Sequence, residues 1–171
     1  PRILAGRYGF IIGHAETMRT HQAVIVAAQR LGAHIEWQSP SEGFVIENNR
    51  ITAVKTPQEN IHCRYAILAA GYWSRAIAAA AGLSLSFQAF PLQMMVSVRR
   101  PHVLDQVLGW MGHGISLKQV PSGGFVIGGG WPGLGNPETY QTHLMPGSMA
   151  KSAQTTVELY PSLSGIPVVR A

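Results

Sequence analysis

A short apolar run, one glycine and an Ala-rich segment constrain the fold of this chain more than any other feature. The run Tyr65–Ala70 reads YAILAA and contains no charged residue. This pattern predicts a strand buried on both faces, as in parallel sheets covered by helices. Gly71 then leads into Ser74–Ala81, whose residues favour helix, with Gly82 where a helix would end.

This strand-to-helix junction also suggests a function. A helix N-terminus presents unpaired backbone N–H groups and the positive end of its dipole, which suits a phosphate or another anion. An ordinary connection between strand and helix, with no ligand, explains the same residues. The junction alone therefore leaves both interpretations open.

Composition excludes several classes of protein. The chain has 171 residues, 46% hydrophobic and 12% charged, which is enough apolar material for a globular core. Its thirteen Lys and Arg are scattered and form no basic stripe for nucleic acid. No apolar run reaches the roughly 20 residues of a membrane span. Cys63 is the sole cysteine, which excludes an intrachain disulfide, so we expect a reducing, cytoplasmic location.

The first half of the chain predicts a helix and strands around a small antiparallel insertion. Apolar residues at helical spacing indicate the helix, and β-branched residues flanking an Asn pair indicate a hairpin. The strand after the helix is a natural parallel neighbour of Tyr65–Ala70. In order, the predicted elements are a strand at 9–12, a helix at 17–31 closed by Gly32, a strand at 33–38, hairpin strands at 43–47 and 50–56 about Asn48-Asn49, and a third strand at 61–64.

The second half predicts a second, antiparallel sheet. Its expected elements are an extended segment at 87–98 broken by Pro91, a hairpin of strands 115–120 and 124–128, a loop at 128–146, a helix at 148–160 and a strand starting at 168–171. The chain opens on Pro1 without a Met and stops on that apolar run. We therefore expect an internal fragment of a longer protein.

Two apparent motifs are discounted. Gly128–Gly133 satisfies the pattern G-x-G-x-x-G, but Pro132 and the Gly- and Pro-rich residues after it do not open a helix, so a turn is expected. Among the seven histidines, neither the pair His14 and His21 nor His62 beside Cys63 supplies the three or four ligands of a zinc site. No metal is expected.

The order of these segments resembles the glycine/D-amino-acid oxidase-like (DAO) family of FAD-dependent oxidoreductases. The resemblance lies in the helix ending in Gly-Ala, the meander, and then AILAAGYWS, FPLQ, ISLKQ and GGFVIGGG. Ala70, Gly71, Trp73 and Ser74 fill the family's segment of an apolar strand ending in Ala-Gly, one residue, then Trp-Ser. The resemblance implies a mixed α/β (α+β) fold: part of a Rossmann-like FAD-binding domain with an inserted β-meander in 1–82, and an antiparallel substrate-binding sheet in 83–171.

The resemblance also implies which residues lie near FAD. The backbone at Ala69, Ala70 and Gly71 would approach the diphosphate and ribityl chain, with Trp73 packed beside it. Ser41 occupies the position where the family often has a valine facing the adenine. The family's dinucleotide fingerprint and the arginine that binds the substrate carboxylate belong to segments that this chain does not contain.

The implied reaction is oxidation of a small amine or amino acid, of the sarcosine, glycine, D-amino-acid or opine type, by hydride transfer to the flavin. The segments ISLKQ and GGFVIGGG resemble the sarcosine-oxidase β-subunit and opine or amino-acid dehydrogenase side of the family more than the eukaryotic D-amino-acid oxidases. Catalytic residues stay unassigned. Candidate substrate contacts are Gln93, Met95, His113 and Lys118, whose alternative roles are backbone pairing, core packing, a loop position and a solvated strand face. The alternative function is a non-catalytic module that binds a partner subunit.

Overall fold

The computed structural model describes residues 3–11, 13–88, 90–136, 139 and 141–171. The chain divides into two compact units, Glu16–Ala89 and Pro1–Ala15 together with Phe90–Ala171. Each unit contains its own antiparallel sheet. The assignment of functional regions to 1–82 and 83–171 stays a prediction.

In the unit Glu16–Ala89, the predicted first helix is confirmed as α1, Thr17–Arg30. Gly32 closes it at φ 91°, where its N–H donates to Gln29 O over 3.0 Å. The N–H of Ala33 donates to Ala28 O over 3.0 Å, completing a glycine-terminated helix end. No α1 residue is buried.

The meander of the same unit is also confirmed. Its strands are β1 (Gly43–Glu47), β2 (Arg50–Lys55) and β3 (Asn60–His62), in the order β1-β2-β3. Asn48 and Asn49 take φ values of 49° and 61°, as the tightest hairpin turns require. The third strand begins one residue before its predicted start and ends two residues before its predicted end.

Two strands predicted in this unit are wrong. Residues 33–38 and 65–70 form no strand, and Ile67, expected to be buried, is 93% exposed. Every strand pair among the described residues is antiparallel, and none includes either segment. A parallel strand depends on distant neighbours for its hydrogen bonds and for cover on both faces. The composition of the segment 65–70 therefore predicted that its side chains are buried, but no described residues cover them.

The helix after this segment is present but short. A 3₁₀ turn at Gly71–Trp73 leads into α2, Ser74–Ala79. Gly82, at φ 76°, donates its N–H to Ala79 O over 2.9 Å, and Leu83 donates to Ala78 O over 3.0 Å. The predicted glycine end is confirmed, although Gly82 lies three residues beyond Ala79, the last helical residue.

The second unit is built on a five-stranded antiparallel sheet with a helix on one face, which confirms the predicted second sheet, its hairpin and its helix. Its order is β10-β4-β7-β6-β5. The elements are β4 (Leu92–Arg99), β5 (Leu108–Trp110), β6 (Ile115–Gln119), β7 (Gly124–Pro132), β8 (Leu134–Gly135), β9 (Thr142–His143), α3 (Pro146–Leu159) and β10 (Val168–Arg170). The strands β5, β8 and β9 have no counterpart in the prediction, which placed β8 and β9 in the loop 128–146. The described part of the predicted strand at 9–12 is irregular, and Ile12 lies outside the described residues.

The core of this unit lies between the sheet and α3. Alternate residues of β4, β6 and β7 face inward, and Met149, Ala153 and Tyr160 pack against them. The buried cluster consists of Met95, Leu104, Ile115, Leu117, Phe125, Ile127 and Leu163. The period of two in the burial pattern is that of a sheet covered on one side.

The loop predicted from residue 128 is wrong at its start, because β7 continues to Pro132. Gly129 has φ 113°, and a Cβ built on it would lie 1.9 Å from Gly114 O. A Cβ on Gly130 would lie 2.8 Å from the same oxygen. Close approach of two backbones, not a turn, therefore accounts for the consecutive glycines. Three positions of the predicted loop, Pro137, Glu138 and Tyr140, lie outside the described residues.

Candidate cofactor and substrate sites

Three of the predicted cofactor residues line one cleft in the unit Glu16–Ala89. The cleft has a volume of about 530 Å³ and lies between the meander, the segment 65–70 and α2. Ser41, Ala69 and Ala70 form part of its wall. The rest is predominantly apolar, contributed by Phe44, Ile51, Val54, Cys63, Tyr65, Ala66, Ile67, Leu68, Ile77, Ala78, Ala81 and Leu83.

Gly71 and Trp73 come just after Ala70 in the sequence, next to the residues that line this cleft. Gly71 has φ 54°, and a Cβ built on it would meet nothing within 4 Å. Trp73 is 53% exposed, with its ring 6.0 Å from that of Tyr72 in an edge-on arrangement. Small side chains and open space at a left-handed glycine let another group approach the backbone closely.

The backbone of this segment fits the phosphate or ribityl part of FAD. No hydrogen bond from the N–H of Ala69 or Ala70 to another described residue is present. The cleft wall carries no charged side chain. An anion held here would therefore be bound by backbone N–H groups.

The candidate substrate residues do not converge. Gln93 and Met95 both lie on the face of the sheet covered by α3. Gln93 donates from Nε2 to Pro132 O over 3.2 Å, and its Oε1 accepts the N–H of Met145. Met95 belongs to the buried core. The structure thus gives both residues contacts within the unit.

His113 and Lys118 lie elsewhere. His113 is exposed in the turn after β5, with its ring stacked on Trp110 at 3.8 Å between centroids and 24° between planes. Lys118 is half-buried on the face of β6 opposite to Leu117 and Gln119.

Gln119 is a structural residue that sequence analysis missed. It is 3% exposed, and its side chain binds five backbone groups. Oε1 accepts from the N–H groups of Val103 (2.8 Å) and Leu104 (3.2 Å). Nε2 donates to the carbonyl oxygens of Arg100 (3.2 Å), Pro101 (2.9 Å) and Gly123 (3.1 Å). The signal was available, because Gln119 follows Ile115 and Leu117 on the inward phase of β6 and a buried amide needs partners.

Among the described residues, no three His, Cys, Asp or Glu side chains are grouped so as to hold a metal ion. None of their helices is long and apolar enough to cross a membrane.

Comparison with protein families decides the assignment. The model of the FAD-dependent oxidoreductases, DAO, matches residues 8–171. The chain belongs to this family. The predicted resemblance is confirmed, and with it FAD as the cofactor of the family. The chain is also 29% identical over 146 residues to the sarcosine oxidase subunit beta of Arthrobacter sp., covering 84% of this chain and 35% of that protein.

Solved structures show the same mixed helix-and-sheet fold. L-proline dehydrogenase from P. horikoshii superposes with a TM-score of 0.81 at 23% identity, over 91% of this chain and 42% of that one. Glycine oxidase from Bacillus cereus gives a TM-score of 0.65 at 20% identity, over 86% of this chain and 40% of that one. The chain therefore spans between a third and a half of the length of these relatives.

Proposed function

We propose that this chain provides part of the flavin-binding region and the substrate-binding sheet of an FAD-dependent oxidase or dehydrogenase of small amines or amino acids. The match to the FAD-dependent family over residues 8–171 carries the proposal. The names of three relatives support the substrate class, since sarcosine, proline and glycine are all small amino acids.

In this proposal, the backbone at Ala69, Ala70 and Gly71 holds the phosphate and ribityl part of the cofactor, and Trp73 packs beside it. Ser41, on the same cleft, lies toward the adenine end. FAD supplies the acceptor for a hydride from the carbon bonded to the substrate nitrogen. This chain contributes backbone donors and an apolar wall that excludes water from that part of the cofactor.

The test is the visible absorbance of the protein expressed from the full-length gene. We expect bound flavin that is bleached anaerobically by at least one of sarcosine, glycine, L-proline and D-alanine. Peroxide formation in air, compared with reduction of a dye without oxygen, then separates an oxidase from a dehydrogenase. A colourless protein that takes up no added FAD would refute the proposal.

A second candidate is a non-catalytic subunit that binds a partner chain. It is favoured by the exposed apolar residues of the unit Glu16–Ala89, which include Val24, Leu31, Tyr65 and Ile67. The relative from Arthrobacter is itself named as a subunit. Co-purification of a partner with a flavin-free, inactive chain would support this candidate over the enzyme.

A further inference from the structure

A cleft of about 520 Å³ lies in the second unit, where β4 ends beside the turn that joins β6 to β7. None of the described residues that line it is an Asp or Glu. The cleft combines one cation, one exposed hydroxyl and a valine wall. We call it the turn cleft and define it by Val96, Val98, Arg99, Ser122, Gly124 and Val169.

A bulge in β4 turns Arg99 into the turn cleft. In an unbroken strand, Arg99 would lie on the same face as the buried Ser97. The pairing of β4 with β7 shifts by one residue, because Val96 pairs with Val126 but Arg99 pairs with Gly124. Arg99 therefore lies on the face of Val96, which also lines the cleft. Re-aiming one side chain in this way is a common role of a β-bulge.

Hydrogen bonds fix the two walls that carry Arg99 and Ser122. The N–H of Arg100 donates to Gly123 O over 2.9 Å. Gln119, which is 3% exposed, donates from Nε2 to Gly123 O over 3.1 Å and to Arg100 O over 3.2 Å. Arg99 and Ser122 each precede one of these bonded residues in the sequence. Their backbones are therefore held in place before a ligand arrives, which lowers the cost of binding.

The positive charge of Arg99 is not neutralised within the described residues, since Arg99 forms no ion pair with any of them. The described acids of residues 90–171 are Asp105 and Glu158, and both have other partners. His102 Nε2 lies 2.8 Å from Asp105 Oδ1, and Gln154 donates to Glu158 over 3.1 Å. A cation without a nearby acid favours a negatively charged ligand.

The remaining groups of the turn cleft select among anions. A guanidinium presents two parallel N–H donors that fit two oxygens of a carboxylate or a phosphate. A carboxylate has no further oxygen, whereas a phosphate monoester has a third terminal oxygen that can accept the Ser122 hydroxyl. The valines Val96, Val98 and Val169 offer apolar contact to the carbon atoms of such an ester.

We propose that the turn cleft binds a small organic phosphate monoester, with the Arg99 guanidinium and the Ser122 hydroxyl on the phosphate and the valines against the ester carbons. Arg170 pairs with Val96 and adds positive charge beside the cleft, without an assigned contact. The inference uses neither the flavin nor the amine substrate, so it does not depend on the proposed function.

The test is calorimetric titration of the full-length protein with propyl phosphate, inorganic phosphate and butyrate. Low ionic strength is required, because Arg99 is exposed and salt screens exposed charges. Propyl phosphate should bind most tightly. Arg99→Met should weaken its binding by about tenfold or more, and Ser122→Ala by a smaller factor, as the loss of hydrogen bonds to a charged group implies. Arg99→Lys should retain part of the affinity, because it keeps the charge but loses the two parallel donors.

The matched control is Arg100→Met. Arg100 is also exposed and carries the same charge, but it does not line the turn cleft, and its backbone bonds do not need its side chain. Its replacement should weaken propyl phosphate binding by less than about threefold. Flavin absorbance is recorded for each variant, so that loss of the cofactor is not mistaken for loss of this site.

Equal affinity for propyl phosphate in Arg99→Met and the parent protein would overturn the proposal. An equal loss in Arg100→Met would also overturn it, because diffuse positive charge would then explain the binding. Butyrate or inorganic phosphate binding as tightly as propyl phosphate would refute the selection for a monoester. Sedimentation with vesicles that contain phosphatidic acid, without binding of propyl phosphate, would instead assign Arg99 to a lipid headgroup.

Discussion

Replacing Gln119 by leucine tests whether one buried amide holds the segment 100–104 against the sheet. Leucine has a similar volume but cannot bond to any of the five backbone groups that Gln119 contacts. Gly123 O keeps a partner in the variant, since it also accepts the N–H of Arg100 over 2.9 Å. Arg100, Pro101 and Val103 are exposed, so water can replace the amide at these three residues. The N–H of Leu104, in a residue that is 5% exposed, has no such replacement.

These contacts set the expected magnitude. Each rehydrated group loses only the net value of a hydrogen bond, about 1 kcal/mol, whereas a buried unpaired group costs about 1–3 kcal/mol. The free energy of unfolding of Gln119→Leu should therefore fall by about 4–6 kcal/mol, measured by urea denaturation of the full-length protein. Amide exchange at Leu104 should accelerate in parallel.

A matched control is Gln154→Leu. Gln154 makes one exposed side-chain hydrogen bond to Glu158, at 3.1 Å, so its replacement should change stability by less than about 0.5 kcal/mol. If Gln119→Leu is destabilised by less than about 1 kcal/mol, or if Leu104 keeps its exchange protection, the amide does not hold this segment and the reasoning fails.

Three other substitutions test the glycines, the hairpin and the cofactor site. Gly129→Ala should destabilise the protein by more than about 4 kcal/mol in thermal unfolding, because its Cβ would overlap a backbone oxygen. The control Gly147→Ala, in α3, should be neutral or stabilising, because a Cβ there meets nothing within 4 Å. Asn49→Ala should cost about 1 kcal/mol at φ 61°, and Asn49→Gly should not; equal melting temperatures would contradict the turn assignment. Ala70→Glu should weaken FAD binding by about 100-fold, because the new carboxylate repels the diphosphate; the measurement is a fluorescence titration of the full-length apoprotein. The control Ala79→Glu, at an exposed position of α2, should leave FAD binding unchanged. Unchanged FAD affinity in Ala70→Glu would remove this segment from the cofactor site.

The elements that sequence predicted well are those whose hydrogen bonds close within a few residues. The hairpin of β1 and β2 needs two residues at positive φ, and Asn48-Asn49 supplies them. Helix α1 ends where Gly32 takes a left-handed conformation. In both cases the physical requirement and the residue that meets it are adjacent in sequence, so local pattern was sufficient.

Prediction of the candidate site was limited by pairing between distant residues. The glycines after Ile127 look like a phosphate loop in sequence, yet Gly129 and Gly130 are required by the backbone at Gly114, on another strand. Met95 was predicted as a substrate contact, but the burial pattern of β4 places it in the core and its neighbour Met94 on the opposite, exposed face. A one-residue difference in phase decides between core and ligand surface, and phase is set by the whole sheet.

The segment 65–70 also shows that a prediction from local sequence fails where the structure depends on distant residues. Its apolar residues satisfy the composition of a buried parallel strand, but composition states only that cover would be favourable, not which residues provide it. Ile67 and Tyr65 are exposed in the described chain, while Ala69 and Ala70 line the cleft. If FAD covers this segment, flavin binding and protection of Ile67 are coupled, because the contact that fixes the backbone donors at Ala69 and Ala70 also covers the residues next to them.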